Sequence, residues 1–229
     1  MKKILVTGGD GRFAGELKKS KKNFQFLFLN KKQLDISNLN SIINSIKKYK
    51  PKTILHLAGL SRPMDIHEKN ISKSITLNIV GTANLVAACS KYKVKIIYFS
   101  TSYIYPGKKG NYNENDSLLP WNNYGWSKLG GECSVQMYKN SLILRACMTQ
   151  KPFVHKEAYS NVKSNFIYHE DLVEIFLKVI NKKGIYNIGG KSQSIYNFAK
   201  KTNSNIKKKY SKGEFPLNQN MNLKKIYKL

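Results

Sequence analysis

A tyrosine and a lysine four residues apart on a helix place a hydroxyl and an ammonium on one face, as needed to move a proton to or from a bound oxygen. The chain carries four such pairs: Tyr105/Lys109, Tyr124/Lys128, Tyr159/Lys163 and Tyr196/Lys200. With 14 Tyr and 37 Lys among 229 residues, about two are expected by chance, so context must choose. Tyr105/Lys109 encloses Pro106 and Gly107, which prevent a helix from aligning it. Tyr159/Lys163 lies in a polar, irregular stretch, and no hydroxyl-bearing strand end precedes Tyr196/Lys200 at a useful separation. Tyr124/Lys128 opens a helical run, LGGECSVQMY, and follows an apolar strand that ends Phe99-Ser100-Thr101-Ser102. A free tyrosine has a pKa of ~10, so proton transfer near pH 7 calls for a shift of up to ~3 units, or ~4 kcal/mol. A unit charge ~4 Å away at an effective dielectric of ~20 supplies about that much. Lys128 is therefore expected to lower Tyr124, with Thr101 hydrogen-bonding the reacting oxygen.

A second constellation lies at the N-terminus. Thr7-Gly8-Gly9-Asp10-Gly11-Arg12-Phe13-Ala14-Gly15 reads G-x-x-G-x-x-A between a short apolar strand and an amphipathic helix. Gly8 allows a tight turn, Gly11 lets backbone approach a pyrophosphate at the helix N-terminus, and Ala14 keeps helix and strand close. The following strand ends Leu29-Asn30-Lys31-Lys32, without the acid that commonly holds a ribose 2′-hydroxyl. Arg12 and Lys31 are instead suited to a 2′-phosphate, so NADP is favoured, with NAD the other option. Tyr124 and Thr101 would protonate an alkoxide as a nicotinamide delivers hydride.

Both sites require strands that end on one side of a sheet. Apolar strands are expected at 3–7, 24–29, 53–57, 95–99 and 141–144. Helices are expected at 11–22, 39–49, 75–92 and 124–138. This alternation implies an α/β, Rossmann-like doubly wound parallel sheet covered on both faces. Residues 1–145 would form the dinucleotide-binding core. Residues 146–229, with a helix at 169–180 and a strand-like GIYNIGG at 184–190, would form a small C-terminal substrate lobe within one unit of 1–229.

Composition narrows the partners. The net charge of +27 suggests nucleic acid, but only Arg12, Arg62 and Arg145 are arginines, and nucleic-acid sites lean on Arg for bidentate contacts. With 24 Asn and 22 Ile beside 37 Lys, the charge follows a bias toward A/T-rich codons, so no specific nucleic-acid role is expected. An anionic small molecule would still be attracted. Apolar runs fall short of the ~20 residues of a membrane span, and Ile4-Leu5-Val6 is too short for the ~7–15-residue core of a signal peptide. Cys89, Cys133 and Cys147 form no disulfide framework or zinc spacing, and the four histidines show no metal spacing. A cytoplasmic protein without metal or membrane is expected. His56 and His67 read as locally satisfied or scattered residues. Arg62 stands out in LSRPM beyond the third strand as a diphosphate contact.

Taken together these segments resemble the extended short-chain dehydrogenase/reductases acting on nucleotide sugars, and among them the dTDP-4-dehydrorhamnose reductase type. The resemblance covers nearly the whole chain. It includes TGGDGRFAGEL (7–17), Asp35-Ile36, HLAG (56–59), NIVGTANLV (78–86), STSYIYPG (100–107), YGWSKLGGE (124–132), LILR (142–145), YNIGG (186–190) and FPLNQNMNLKKI (215–226). It implies that Gly8, Gly11, Arg12 and Phe13 line the cofactor pyrophosphate, with Asn30 and Lys31 at the adenosine ribose. Asp35 and Ile36 would meet the adenine, and Leu57, Ala58 and Gly59 the nicotinamide end. Thr101, Tyr124 and Lys128 fall on the catalytic triad, Lys128 also touching the cofactor. Arg62, Thr101, Ser102 and Met148 would face the substrate. Ala14 replaces the usual third glycine, Ser102 stands where that type has Asp, Met148 lies where it places a substrate-side Trp, and the lobe after Arg145 is shorter than usual. The implied activity is NAD(P)H-dependent reduction of a nucleotide-linked 4-keto-6-deoxy sugar. The alternatives are an epimerase that retains its NAD and a non-catalytic NAD(P)-binding regulator. Helices 75–92 and 124–138 could pair two subunits in a homodimer.

Overall fold

A computed structural model describes residues 3–20 and 24–229. Six parallel strands form the central sheet: β1 (Lys3–Thr7), β2 (Gln25–Leu29), β3 (Thr53–His56), β4 (Lys95–Thr101), β5 (Ser141–Ala146) and β6 (Gly184–Ile188). Their spatial order is β6-β5-β4-β3-β1-β2. The order reverses at β1, and the crevice beyond the carboxyl ends of β1 and β3 is where such sheets receive ligands.

Alternation along each strand feeds two cores. Ile4, Val6, Leu55, Ile97, Phe99 and Leu144 face α1 (Arg12–Lys19) and, further along the chain, the amphipathic helix His169–Val179. Leu5, Ile54, Ile96, Tyr98 and Ile143 face α2 (Leu39–Tyr49), α3 (Gly81–Lys91) and α4 (Asn123–Gln136), through Ile42, Ile46, Leu85, Cys89 and Val135. The helix His169–Val179 is α5. Buried on both faces, these strands read as continuous apolar runs.

Several boundaries differ from the sequence expectation. The first helix ends at Lys19, and its expected end at 21–22 lies outside the described residues. The helix expected at 75–92 begins at Ile71 and passes through a π-helical turn, Thr76–Val80, before α3. In that turn the buried Asn78 accepts from Leu60 N (2.7 Å) and donates to Leu60 O (2.8 Å) and Ser127 Oγ (2.9 Å). The sheet does not stop at residue 145: β6 pairs with β5, and α5 packs on α1. Both belong to the main core, through Leu172, Phe176, Tyr186 and Ile188, as do Met221, Leu223 and Ile226 of the C-terminal tail. A separate small cluster joins Phe153, Ala158, Val162, Tyr168, Ile195, Phe198, Ala199 and Ile206. The stretch 151–165 contains two short strands, Glu157–Tyr159 beside Lys207–Lys209 and Lys163–Ser164 beside Gln193–Ser194. Three consecutive exposed lysines carry no strand signal, which hid the first pairing.

One buried ion pair ties α4 to the sheet. The Arg145 guanidinium, on β5, donates to Glu132 Oε1 from Nε (3.1 Å) and Nη2 (2.7 Å). Its Nη1 donates to Tyr105 Oη (2.7 Å) and to Glu114 O (2.9 Å). Tyr105 in turn donates to Asn187 Oδ1 on β6 (2.8 Å). Removing one partner from a buried pair strands the other charge, at about 3–5 kcal/mol. Glu132→Ala or Arg145→Ala should therefore lose about that much in urea unfolding, and the double change to Leu and Met should recover most of it. Near-wild-type stability of either single variant would show that the pair does not anchor α4.

Candidate active site

The loop after β1 is shaped by close approach. Gly8 has φ +66°, and a Cβ there would lie 2.8 Å from Ala58 backbone. Gly9 N donates to Leu29 O (2.8 Å) and Gly11 N to Gly8 O (2.9 Å). Gly11 caps α1 without a side-chain hydrogen bond, which leaves the first-turn amides for an anion. Thr7 Oγ1 accepts from Leu57 N (3.2 Å) and Ala58 N (3.1 Å) and donates to His56 Nδ1 (3.0 Å). His56 Nε2 then donates to Thr82 Oγ1 (3.0 Å), which itself donates to Asn78 O (2.8 Å). This order assigns the Nε2–H tautomer, and burial pushes the His56 pKa down to about 3, so the ring stays neutral. His56 thus fixes the 57–59 loop beside the Gly-rich loop.

Of the residues expected to move a proton, Thr101 and Tyr124 are brought together. Thr101 closes β4, two residues beyond the expected strand end, and is buried. The Tyr124 hydroxyl lies beside the Thr101 hydroxyl, which opposes the rise of its pKa. Tyr124 and Lys128 lie on the first turns of α4, whose cap is Asn122 Oδ1 accepting from Gly125 N (2.8 Å). Close packing of α4 uses Gly131, where a Cβ would meet Asn78 O at 2.4 Å. Lys128 Nζ sits 4.1 Å over the Tyr98 ring.

The electrostatics differ from the expectation. Burial raises the Tyr124 pKa instead of lowering it, and the cations opposing the rise include Arg62 but not Lys128. Burial also brings Lys128 down to about 7, against the pull of Glu132 one turn further on. A lysine whose pKa burial brings down toward neutrality supplies less than the full unit charge that the sequence argument assumed.

Other expected residues divide. Arg12 and Arg62 lie in each other's field, and Arg12 Nη1 donates to Gln150 Oε1 (3.0 Å). Among the described residues neither arginine has an acidic partner. Burial, together with Arg12 and Arg62, pushes His169 down to about 4. Lys31 lies in the field of Asp35. The Phe13 ring is a core group, 4.9 Å from Phe99, leaving only its backbone at the loop. The Asn30 side chain accepts from Gln33 N (3.1 Å). Asp35 accepts from the Ser37 amide (2.9 Å) and hydroxyl (2.7 Å), and Ile36 is buried against Gly81. Leu57 and Ala58 are half-buried and Gly59, at φ +154°, is exposed. Ser102 is buried beside the Cys147 thiol, and Met148 is half-buried against the core. The sequence reading missed His67. Its ring lies 5.1 Å from that of Tyr124, its Nδ1 bonds Ser74 Oγ (2.7 Å), and its Nε2 is buried without a partner. The i+7 spacing to Ser74 carries no recognisable signal. Among the described residues no cluster of three His, Cys, Asp or Glu could hold a metal, and no helix is long and apolar enough to cross a membrane.

The doubly wound parallel sheet and the Tyr/Lys pair beside a Gly-rich loop at its switch point define a protein of the extended short-chain dehydrogenase/reductase superfamily. Within it, residues 1–161 match the RmlD substrate binding domain family, and the chain belongs to that family. It is 30% identical over 154 residues to the dTDP-4-dehydrorhamnose reductase of Aggregatibacter actinomycetemcomitans, a match spanning 65% of this chain and 52% of that protein. It is 28% identical over 220 residues, 87% of this chain and 77% of the relative, to the spore coat polysaccharide biosynthesis protein SpsK of Bacillus subtilis. Its fold is similar to that of a dTDP-4-dehydrorhamnose reductase from Bacillus anthracis in complex with NADP, with a TM-score of 0.86, 22% identity, and coverage of 99% of this chain and 91% of that one.

The depressed lysine gives a pH signature with a defined sign. Between pH 7 and the ordinary lysine value the unfolded chain binds a proton at Lys128 that the folded chain does not, so this group's contribution to stability rises with pH. Lys128→Met should raise the melting temperature more at pH 6.5 than at pH 10, read by thermal unfolding against wild type. An equal change at both pH values would show that Lys128 keeps an ordinary pKa.

Proposed function

We propose that this chain is an NADPH-dependent reductase of a nucleotide-linked 4-keto-6-deoxy sugar. The observation that carries the reading is the Tyr124–Thr101 hydroxyl pair at the carboxyl end of β4, with Lys128 one turn along α4 and, nearby, Arg62 and Arg12, which have no acidic partner among the described residues. The uncapped start of α1 and the amides of Gly8, Gly11, Arg12 and Phe13 suit a pyrophosphate. Asn30 and Lys31 take the 2′-phosphate end, Asp35 and Ile36 the adenine, and Leu57, Ala58 and Gly59 the nicotinamide end. When bound, NADPH supplies the hydride. Tyr124 holds the proton passed to the sugar's C4 oxygen, and Thr101 orients that oxygen. Lys128 would hold the cofactor ribose and help return a proton to Tyr124. Arg62 holds the substrate diphosphate, with Ser102 and Met148 at the edge of the sugar site. The similarity to named reductases supports this substrate class.

Dehydration is not part of the reading. The residues after Thr101 are Ser102 and Tyr103, and a hydroxyl is too weak an acid to protonate a leaving hydroxyl at neutral pH. We place the protein in the cytoplasm, without a specific nucleic-acid partner. Exposed Ile71, Ile75, Val80 and Trp126, on the segments flanking α3 and on α4, offer the apolar face a homodimer would use.

Tyr124→Phe should keep NADPH affinity and lose at least ~100-fold in turnover, because only proton transfer is removed. Tyr196→Phe should be close to silent, and near-wild-type turnover of Tyr124→Phe would assign the wrong tyrosine. NADPH should bind more tightly than NADH in fluorescence titration, and Lys31→Ala should narrow the gap. Equal affinities in the wild type would remove the 2′-phosphate assignment, and sugar turnover without net NADPH consumption would move the chain to the epimerases.

A further inference from the structure

Two adjacent residues of the one-turn helix Ile66–Lys69 grip the two residues that open α4. Asn123 donates its backbone N–H to Glu68 Oε1 (3.4 Å) and its side-chain amide to Glu68 Oε2 and to His67 O (3.4 Å). The next residue is Tyr124, whose ring lies 5.1 Å from the His67 imidazole and is inclined to it by 55°. Tyr124 also meets Tyr103, edge-on at 5.9 Å. Tyr103 belongs to the turn that directly follows Thr101, so it is part of the same β4–α4 unit as the proton-transfer residues. His67 comes from outside that unit and is 1% exposed.

The imidazole is held at a single atom. Its Nδ1 is 2.7 Å from Ser74 Oγ, and its Nε2 is buried with no partner. Ser74 is itself buried, on the helix Ile71–Ile75. Both residues line a groove of about 470 Å3 between that helix and α4, so neighbouring side chains do not close around the ring. The bond to Ser74 therefore sets the rotation of the imidazole. Burial and the field of Lys128 hold the His67 pKa below the ordinary histidine value, against the pull of Glu68. At neutral pH the ring thus offers Tyr124 a shape to rest on and adds no second cation beside Lys128.

We infer that His67 is a positioning residue for Tyr124. Tethered by Ser74, its imidazole holds the phenol ring where the hydroxyl meets Thr101, and Glu68 fixes the backbone one residue earlier. The inference rests on the reading of Tyr124 as the proton donor. A displacement of ~1 Å at a reacting group costs up to about 100-fold in rate, so a side chain that sets the place of the phenol acts on turnover without touching the ligand.

The test makes His67→Ala and Ser74→Ala, each in the wild type and in the Tyr124→Phe background. Turnover of the 4-keto-6-deoxy sugar is measured by NADPH oxidation, and NADPH affinity by fluorescence titration. The place of Tyr124 is read by 13C NMR of protein labelled at tyrosine Cζ, its resonance being the one missing from Tyr124→Phe. His67→Ala should lower kcat about 10- to 100-fold and Ser74→Ala about 3- to 10-fold, with the sugar KM and the NADPH affinity within about threefold of wild type. In the Tyr124→Phe background neither change should lower the residual turnover further, because no proton donor is left to misplace. The Tyr124 resonance should move in both variants, and that of Tyr105, enclosed with Arg145, should stay. Ser74→Ala removes only a hydroxyl and is read alone if the His67 variant does not fold. Wild-type kcat in Ser74→Ala, a loss of equal size in the Tyr124→Phe background, or an unmoved Tyr124 resonance would overturn the inference. The resonance needs no turnover, so the two readings fail separately. A chain whose Tyr124 resonance moves but which oxidises no NADPH keeps the contact and loses the reductase reading. One that reduces the sugar with an unmoved resonance does the reverse.

Discussion

The arrangement depends on a buried ion pair, Arg145–Glu132, that holds a helix against a sheet. Tyr124, Lys128 and Glu132 recur at four-residue intervals, so they share the face of α4 turned to β4 and β5. Glu132 and Arg145 are almost wholly enclosed, at 0% and 1% exposure. An unpaired charge at such depth is costly, so the pair forces α4 into one rotation and one height over the sheet. The same guanidinium reaches Tyr105 and Glu114, and Asn187 N donates to Glu114 Oε1 at 2.9 Å. One arginine thereby sets the relation between α4, β5, β6 and the loop that follows Thr101. Gly131 and Gly130 complete the constraint by removing the side chains that would hold the helix off Asn78 and Ile79.

Burial then sets the protonation states that the site starts from. Desolvation acts on both members of the Tyr/Lys pair toward neutrality, raising the phenol and lowering the amine. His56 stays neutral by the same cause. Arg12 and Arg62 bring positive charge to the crevice. An anionic cofactor and an anionic substrate would satisfy both arginines, so ligand binding and pair activation are linked through the same field.

Much of the fold was legible because its signals are local. Continuous apolar strands and periodic helices placed β1 and α2 at their observed bounds and the remaining sheet strands to within a few residues. The Gly-rich turn and the choice of Tyr124/Lys128 over three rival pairs followed from their positions after strands. What escaped depends on tertiary contact. The π turn at Thr76–Val80 exists because Asn78 bridges Leu60 and Ser127, and nothing in NIVGT announces that. The direction of the Tyr124 shift could not be read because spacing gives proximity to Lys128 but not the depth at which both are buried. Arg12 was assigned by its place in the loop, yet its reach toward Gln150 is set by a partner 138 residues away. The packed rings of Tyr103, Trp121, Tyr159 and Phe215 come from four distant segments and have no signature in any one of them.

The most direct test of the central claim follows one atom. NADPH carrying deuterium at the transferable position is supplied with a nucleotide-linked 4-keto-6-deoxy sugar, and the product is read by NMR and mass spectrometry. The account predicts one deuterium per sugar, bound at C4 with a single stereochemistry, and one equivalent of NADP formed for each sugar reduced. Sugar recovered with altered configuration, no deuterium and no NADP formed would contradict it, as would a product labelled at any other carbon.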